Sequence, residues 1–265
     1  MTGADAPDYT AFAAHYDEWF GPAATTDDTV EALAGLLKTA GPGPALELGI
    51  GTGRIALPLA ARGVEIHGID ASPAMVGQLR AKPGGQDIPV TLGNFSTAGP
   101  DAPDGTDTHY ALVYVVNGTF AELPTQEAQV DCFANAARRL RAGGLFVLDA
   151  HLPEALTSSA SSGGRVVPAE GGQLVLRYRE TDRAAQHYRS HYVVFANRST
   201  GGVDMHRTTV SFRYAAPGEL DLMARMAGLR LRERWGNWKG APFTSSSTGH
   251  ISVYERPARE GNADE

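Results

Sequence analysis

From residue 45 to residue 150, short apolar runs alternate with stretches of helical periodicity, the pattern of parallel strands joined by crossover helices. Runs at 45–48, 64–69, 90–92, 111–116 and 145–149 predict five strands. Ser72 and Pro73 supply a capping side chain and a proline suited to the first helical turn, so a helix is expected directly after Asp70 and Ala71. Val130, Phe133, Ala137 and Leu140 recur at helical spacing across 126–141, and Gly143-Gly144 is expected to end that helix.

Beyond residue 152 the texture changes. Residues 157–164 are a Ser/Gly/Ala run with little to bury, which predicts a mobile connection. Segments 173–180, 187–196 and 203–214 are rich in Tyr, Val, Thr and Arg and separated by short polar turns, so an inserted antiparallel three-stranded meander is expected. The α/β pattern resumes with a helix over 219–227 stopped by Gly228, then strands over 229–234 and 251–255. Pro257 ends pairing, and 257–265 are expected to be a disordered tail. Five regions follow: an N-terminal helical cap over 1–40, a core over 41–152, the inserted lid over 153–215, the last helix and strands over 216–256, and the tail.

Composition narrows the function classes. The chain has 265 residues, 42% of them hydrophobic, enough for one sizeable core. No apolar run approaches the roughly 20 residues that span a bilayer, and the first residues are acidic rather than signal-like, so a cytoplasmic protein without membrane partners is expected. The single cysteine, Cys132, excludes an intrachain disulfide and a cysteine-built metal site, and is expected to be buried. A net charge of −7 disfavours a surface that tracks phosphates, so nucleic acid is not an expected partner. The meander departs from this balance, with seven arginines against three acidic residues. Either it is a solvated face or subunit contact, or it roofs the active site and meets an anionic substrate through residues such as Arg177 and Arg189. His187, His191 and His206 have no carboxylate or cysteine at ligand spacing, so no metal site is expected.

The sharpest chemical signal is Glu47-Leu-Gly49-Ile-Gly51-Thr-Gly53, where the first strand turns toward the first crossover helix. Alternate glycines allow positive φ and let a ligand approach the backbone closely. Asp70 ends the second strand, where a carboxylate can accept hydrogen bonds from two ribose hydroxyls. A nicotinamide dinucleotide fits less well, because the third small residue of its fingerprint would fall at Arg54. An acidic Glu47 also suits a ligand carrying an ammonium and a sulfonium better than one carrying a pyrophosphate.

Taken together, these features resemble class I S-adenosylmethionine (SAM) dependent methyltransferases over nearly the whole chain. The resemblance implies a Rossmann-like, mostly parallel seven-stranded sheet flanked by helices, and SAM as cofactor with S-adenosylhomocysteine (SAH) as product. It assigns the glycine turn to Glu47, Gly49, Gly51 and Gly53, the ribose to Asp70 with Ala71, and adenine packing to Met75. Where the family commonly has Gly-Asp-hydrophobe after the third strand, this chain has Gly93-Asn94-Phe95, which leaves the adenine contact to the amide of Asn94. Val116 closes the cofactor set, and Arg54 is a candidate for the SAM carboxylate.

A narrower set of features is similar to small-molecule N-methyltransferases of actinomycete secondary metabolism: Tyr9, Tyr16-Asp17, Val116-Asn117-Gly118-Thr119-Phe120, the meander, and the stretch from 219 to Thr244. This implies a small-molecule amine acceptor, with Tyr9 and Tyr16 as lid residues. O-methylation and SAM binding without catalysis stay open, and a homo-oligomer is plausible from the meander and exposed aromatics. Because ligands bind at the carboxyl ends of parallel strands, Asn117, Phe120, Trp235, Trp238 and Phe243 are candidate acceptor contacts. His151, after the fifth strand, is the first candidate for a base.

Overall fold

In the computed structural model, residues 9–19, 25–100, 109–157, 164–167, 173–198 and 201–258 are described. The acidic start at 1–8, most of the Ser/Gly/Ala connection and residues 259–265 of the expected tail lie outside them.

Two short helices, α1 (Thr10–Ala13) and α2 (Tyr16–Trp19), precede α3 (Thr26–Ala40). The α/β frame follows as β1 (Ala45–Leu48), α4 (Ala56–Ala60), β2 (Ile66–Asp70), α5 (Pro73–Arg80), β3 (Val90–Leu92) and β4 (Tyr110–Val115). A single 3-10 turn (Thr119–Glu122), α6 (Gln126–Arg139) and β5 (Leu140–His151) continue it. After α7 (Pro153–Thr157) come β6 (Arg165–Val167), β7 (Gln173–Asp182), β8 (His187–Asn197) and β9 (Val203–Arg213), then α8 (Pro217–Met226), β10 (Arg230–Trp235) and β11 (Gly249–Glu255).

Seven strands form one sheet in the order β10-β11-β5-β4-β1-β2-β3. The five from β3 to β5 are parallel, whereas β11 runs antiparallel to both β5 and β10. Chain order reverses at β1, which has β2 on one side and β4 on the other. That reversal opens a crevice beyond the carboxyl ends of β1 and β4, where ligands of such sheets bind. Strand β4 is buried throughout, as expected for a central strand covered on both faces. One core packs Phe133, Phe146, Leu220 and Tyr254 on the α6/α8 face. The other packs Leu33, Leu59, Ile251 and Trp238 on the α3 face.

Local signals account for the frame. Ser72 caps α5 by accepting from the Met75 N–H at 3.3 Å, with Pro73 at the first turn. Thr125 caps α6 in the same way at 3.1 Å. Cys132 is buried. The Gly143-Gly144 pair does not end the helix. α6 stops at Arg139, and the pair makes an irregularity inside β5, where the Gly143 N–H donates to the Arg256 carbonyl at 2.8 Å. The meander consists of three long strands as expected, and gains β6 as a short fourth strand antiparallel to β7. No described helix is long and apolar enough to cross a membrane.

Candidate active site

The turn after β1 is held against the end of β2. The Gly49 and Ile50 N–H groups both donate to the Ile69 carbonyl, at 2.8 and 3.0 Å. Gly51 donates its N–H to Asp70 Oδ2 at 2.7 Å, and Ser72 donates its N–H to Asp70 Oδ1 at 2.8 Å. Both carboxylate oxygens of Asp70 are therefore tied to loop backbone, and each retains capacity for a further donor. Burial pushes its pKa up, while these N–H donors pull it back.

The glycines have distinct duties. At Gly49, with φ of +75°, a Cβ would sit 2.5 Å from the Thr119 methyl. At Gly51, with φ of +55°, it would sit 3.3 Å from Met75 Cε. These two glycines line the cleft, whereas Gly53 faces away from it and lets Leu57 and Leu79 pack closely.

Over this turn lies a partly open cleft. Gly49, Gly51, Asp70, Ala71, Met75, Asn94 and Phe95 line it from the strand ends, and Tyr9, just before α1, and Tyr16 of α2 close it. The two tyrosine rings meet edge to face at 6.3 Å. Burial pushes the Tyr16 hydroxyl up to about 12 and that of Tyr9 well above the usual tyrosine value, so both are neutral hydroxyls at physiological pH. Asp17 clasps α2 to the glycine turn. It accepts from Thr52 Oγ1 at 2.6 Å and pairs with Lys82 Nζ at 2.5 Å, while Lys82 also donates to the Thr52 carbonyl.

Several residues expected in this wall stand elsewhere. Glu47 is buried below the turn, where it accepts from the Tyr114 hydroxyl at 3.0 Å, and burial pushes its pKa up to about 8. It supports the floor as a largely neutral acid and does not line the cleft as an anion. Arg54 does not line the cleft and is within electrostatic reach of Glu47, Tyr16 and Asp149. The amide oxygen of Asn94 accepts from the Ser96 N–H at 3.0 Å, so it shapes its own turn while it borders the cleft. Val116 is core, and Asn117 is exposed at φ of +63°.

A second cavity, of about 340 Å³, lies under the inserted sheet. Phe120, Asp149, His151 and Tyr188 line it. His151, the expected base, is therefore here and not in the cleft wall. Its pKa is lowered by partial burial and then by Arg179 and Arg177. The tryptophans are also displaced from the expected acceptor site. Trp238 is buried in the α3-side core, and Trp235 packs against that core while donating to Glu233 at 3.1 Å. Phe243 stacks edge-on to His250 at 5.7 Å and borders a separate hollow with Leu152 and Pro153. Burying apolar ring area against α3 outweighs leaving it at a rim.

The arginines of the inserted sheet split by strand parity. Arg177 pairs in register with Tyr192, whose face also carries the buried Val175 and Val210. Arg189 is on the other face and bridges Glu180 at 3.2 Å, so it cannot share a ligand with Arg177.

Glu122 and Leu123, which the sequence had not singled out, complete the far wall with Thr119 of the motif after β4. Tyr9 donates to Glu122 Oε1 at 2.6 Å. Burial, chiefly, and the charge of Asp70 push the Glu122 carboxyl up to about 8. Asp149 anchors this segment from below by accepting from the Gly118 N–H at 3.0 Å.

Comparison with known proteins agrees with this geometry. A family model described as a methyltransferase domain matches residues 45–144. The structure of the CcbJ methyltransferase from Streptomyces caelestis superposes with a TM-score of 0.82 at 33% identity, covering 96% of this chain and 100% of that one. The cypemycin N-terminal methyltransferase of a Streptomyces species is 28% identical over 213 residues, 80% of this chain and 82% of its own length. SAM-bound CalS10 from Micromonospora echinaspora, an amino pentose methyltransferase of calicheamicin biosynthesis, has the same fold, with a TM-score of 0.69 at 20% identity and coverage of 96% and 100%. The side-chain-free approach at Gly49 and Gly51, the carboxylate at the end of β2 and the thioether of Met75 in one cleft suit an adenosyl ligand. On these grounds the chain belongs to the SAM-dependent methyltransferases.

Proposed function

We propose that this enzyme methylates the nitrogen of an amine-bearing small molecule or peptide N-terminus in secondary metabolism. The observation that carries the nitrogen preference is the relation to the cypemycin enzyme, named for an N-terminal methylation and aligned over 80% of this chain. A sugar N-methyltransferase from Streptoalloteichus, KedS8, shares the fold, with a TM-score of 0.70 at 19% identity.

SAM supplies an electrophilic methyl group, and the protein's task is to align a nucleophile with it. Asp70 and the Gly49–Gly51 turn would hold the ribose of SAM, and Met75 and Phe95 would pack beside its base. Tyr9 and Tyr16 close over the cleft and exclude water. Such alignment contributes roughly 7–11 kcal/mol to lowering a bimolecular barrier. A strong base is unnecessary for an amine, whose nitrogen is nucleophilic as soon as it is neutral, and only one proton has to leave the ammonium.

The test is incubation with SAM and a matched panel of amines and hydroxyl compounds, with products assigned by mass and NMR. N-methylated products whose kcat/KM rises with pH as the amine deprotonates are expected. Methylation confined to oxygen would overturn the nitrogen assignment, and SAM binding without turnover of any acceptor would favour a non-catalytic role.

A further inference from the structure

Two carboxylates face the cleft, and they differ in what they have left to offer. Asp70 has both oxygens engaged by backbone N–H groups. Glu122 has one. Its Oε1 accepts from Tyr9 at 2.6 Å, and among the described residues no donor reaches Oε2. The side chain enters from the 3-10 turn on the same wall as Thr119 and Leu123, beneath the two lid tyrosines. Tyr9 and Asp70 act on it directly, and Tyr16, Tyr188 and Tyr192 share its surroundings; the cations Arg54, Arg177 and Arg179 act on those tyrosines, and among the described residues none forms an ion pair with Glu122.

A half-buried carboxyl with a free oxygen, four neutral hydroxyls and a second acid around it has no ion-pair partner among the described residues. Burying such a group costs free energy unless a cation or proton compensates it. Arg177 and Arg179 act on His151 beyond Phe120 and on Tyr188 and Tyr192, and among the described residues neither bonds Glu122.

We infer that Glu122, oriented by Tyr9, is the acceptor-recognition residue: its free oxygen binds the ammonium of the incoming amine and takes the proton that must leave before methyl transfer. This rests on the nitrogen-directed reading above and deepens it, by restricting acceptors to amines that arrive protonated. The step balances. One N–H bond of the ammonium breaks and its proton forms an O–H bond on Glu122. The nitrogen lone pair so released forms the new N–C bond, and the pair of the breaking C–S bond stays on sulfur. The product leaves as a methylated ammonium, and Glu122 returns its proton to water. Burial holds the empty carboxyl at about 8, and an ammonium bound beside it favours the charged form, so the group can take up and release a proton near neutral pH.

The test needs no knowledge of the natural acceptor. Sinefungin carries a carbon-bound amino group where SAM carries its methyl sulfonium, whereas SAH carries nothing there. Their affinities are compared by calorimetry at pH 7.5 in the wild type and in Glu122→Gln, which keeps an oxygen for Tyr9 but loses the charge. Wild type is expected to prefer sinefungin, and the variant to lose about tenfold or more of that preference, with SAH affinity within about twofold of wild type. Tyr9→Phe, which leaves the carboxylate but frees its orientation, is expected to lose a smaller part of the same preference. Equal weakening of both ligands in Glu122→Gln would mean that the carboxylate holds the cofactor itself, and an unchanged ratio would mean that it faces no ammonium; either overturns the inference. Wild type that binds SAH but N-methylates no amine would instead overturn the function proposed above.

Discussion

The cleft over the glycine turn and the cavity under the inserted sheet are neighbours on one rim of the central sheet, yet their ionisable linings differ. Asp70 and Glu122 face the first, with Glu47 beneath its floor. His151 lines the second, within reach of Arg177 and Arg179. The segment from Asn117 to Glu122 divides them and sends Phe120 to one and Glu122 to the other. A single rim thus presents two different ionisable environments on either side of a thin partition.

The largest expected effect comes from Gly49→Ala. The new methyl would meet the Thr119 methyl at 2.5 Å in a left-handed backbone conformation, combining overpacking with strain. SAH affinity measured by calorimetry is expected to fall by about 100-fold, given roughly 3 kcal/mol from the two costs. A loss under about threefold would show that this wall of the cleft yields.

Next in size is a matched pair that tests whether the two regions act separately. Asp70→Asn is expected to raise the Kd for SAH by about tenfold, the scale for losing a hydrogen bond to a charged group. His151→Ala is expected to leave it within about twofold. Equal losses in both variants would join the regions into one site.

The smallest effect concerns charge alone. Folding raises the Glu47 carboxyl from its ordinary value of 4.5 to about 8. The folded state therefore holds a proton that the unfolded chain has already released, so this residue's contribution to stability declines as pH climbs from about 4.5 to about 8. Glu47→Gln keeps an acceptor for Tyr114 and removes that decline. Thermal melts are expected to coincide near pH 5 and to favour the variant by a few degrees at pH 8.5. A variant less stable at the higher pH would show that the ionised Glu47 is well solvated in the folded protein.

Most of the cleft's strand-end wall was legible because its chemistry is local. Alternate glycines after an apolar run, an acid ending the next run, and Ser72-Pro73 after it each speak through neighbours a few residues apart. The inserted sheet was legible for the same reason, since its strands are joined by short turns. Glu122 was silent because it lies in one turn of 3-10 helix with no periodic pattern, and its partner is 113 residues away. The tryptophans misled because an aromatic residue in a loop before a strand suits a pocket rim and a core alike. Only packing against α3 decides between them. Arg177 and Arg189 could be told apart only through the strand register, which no composition count contains.

The bond from Tyr9 to Glu122 also orders events during synthesis. Tyr9 leaves the ribosome more than a hundred residues before its anchor, and four of the parallel strands are made between them. The tyrosines therefore wait without a docking place while the sheet assembles beneath them, and the reaction chamber acquires its cover only after β4 is in place.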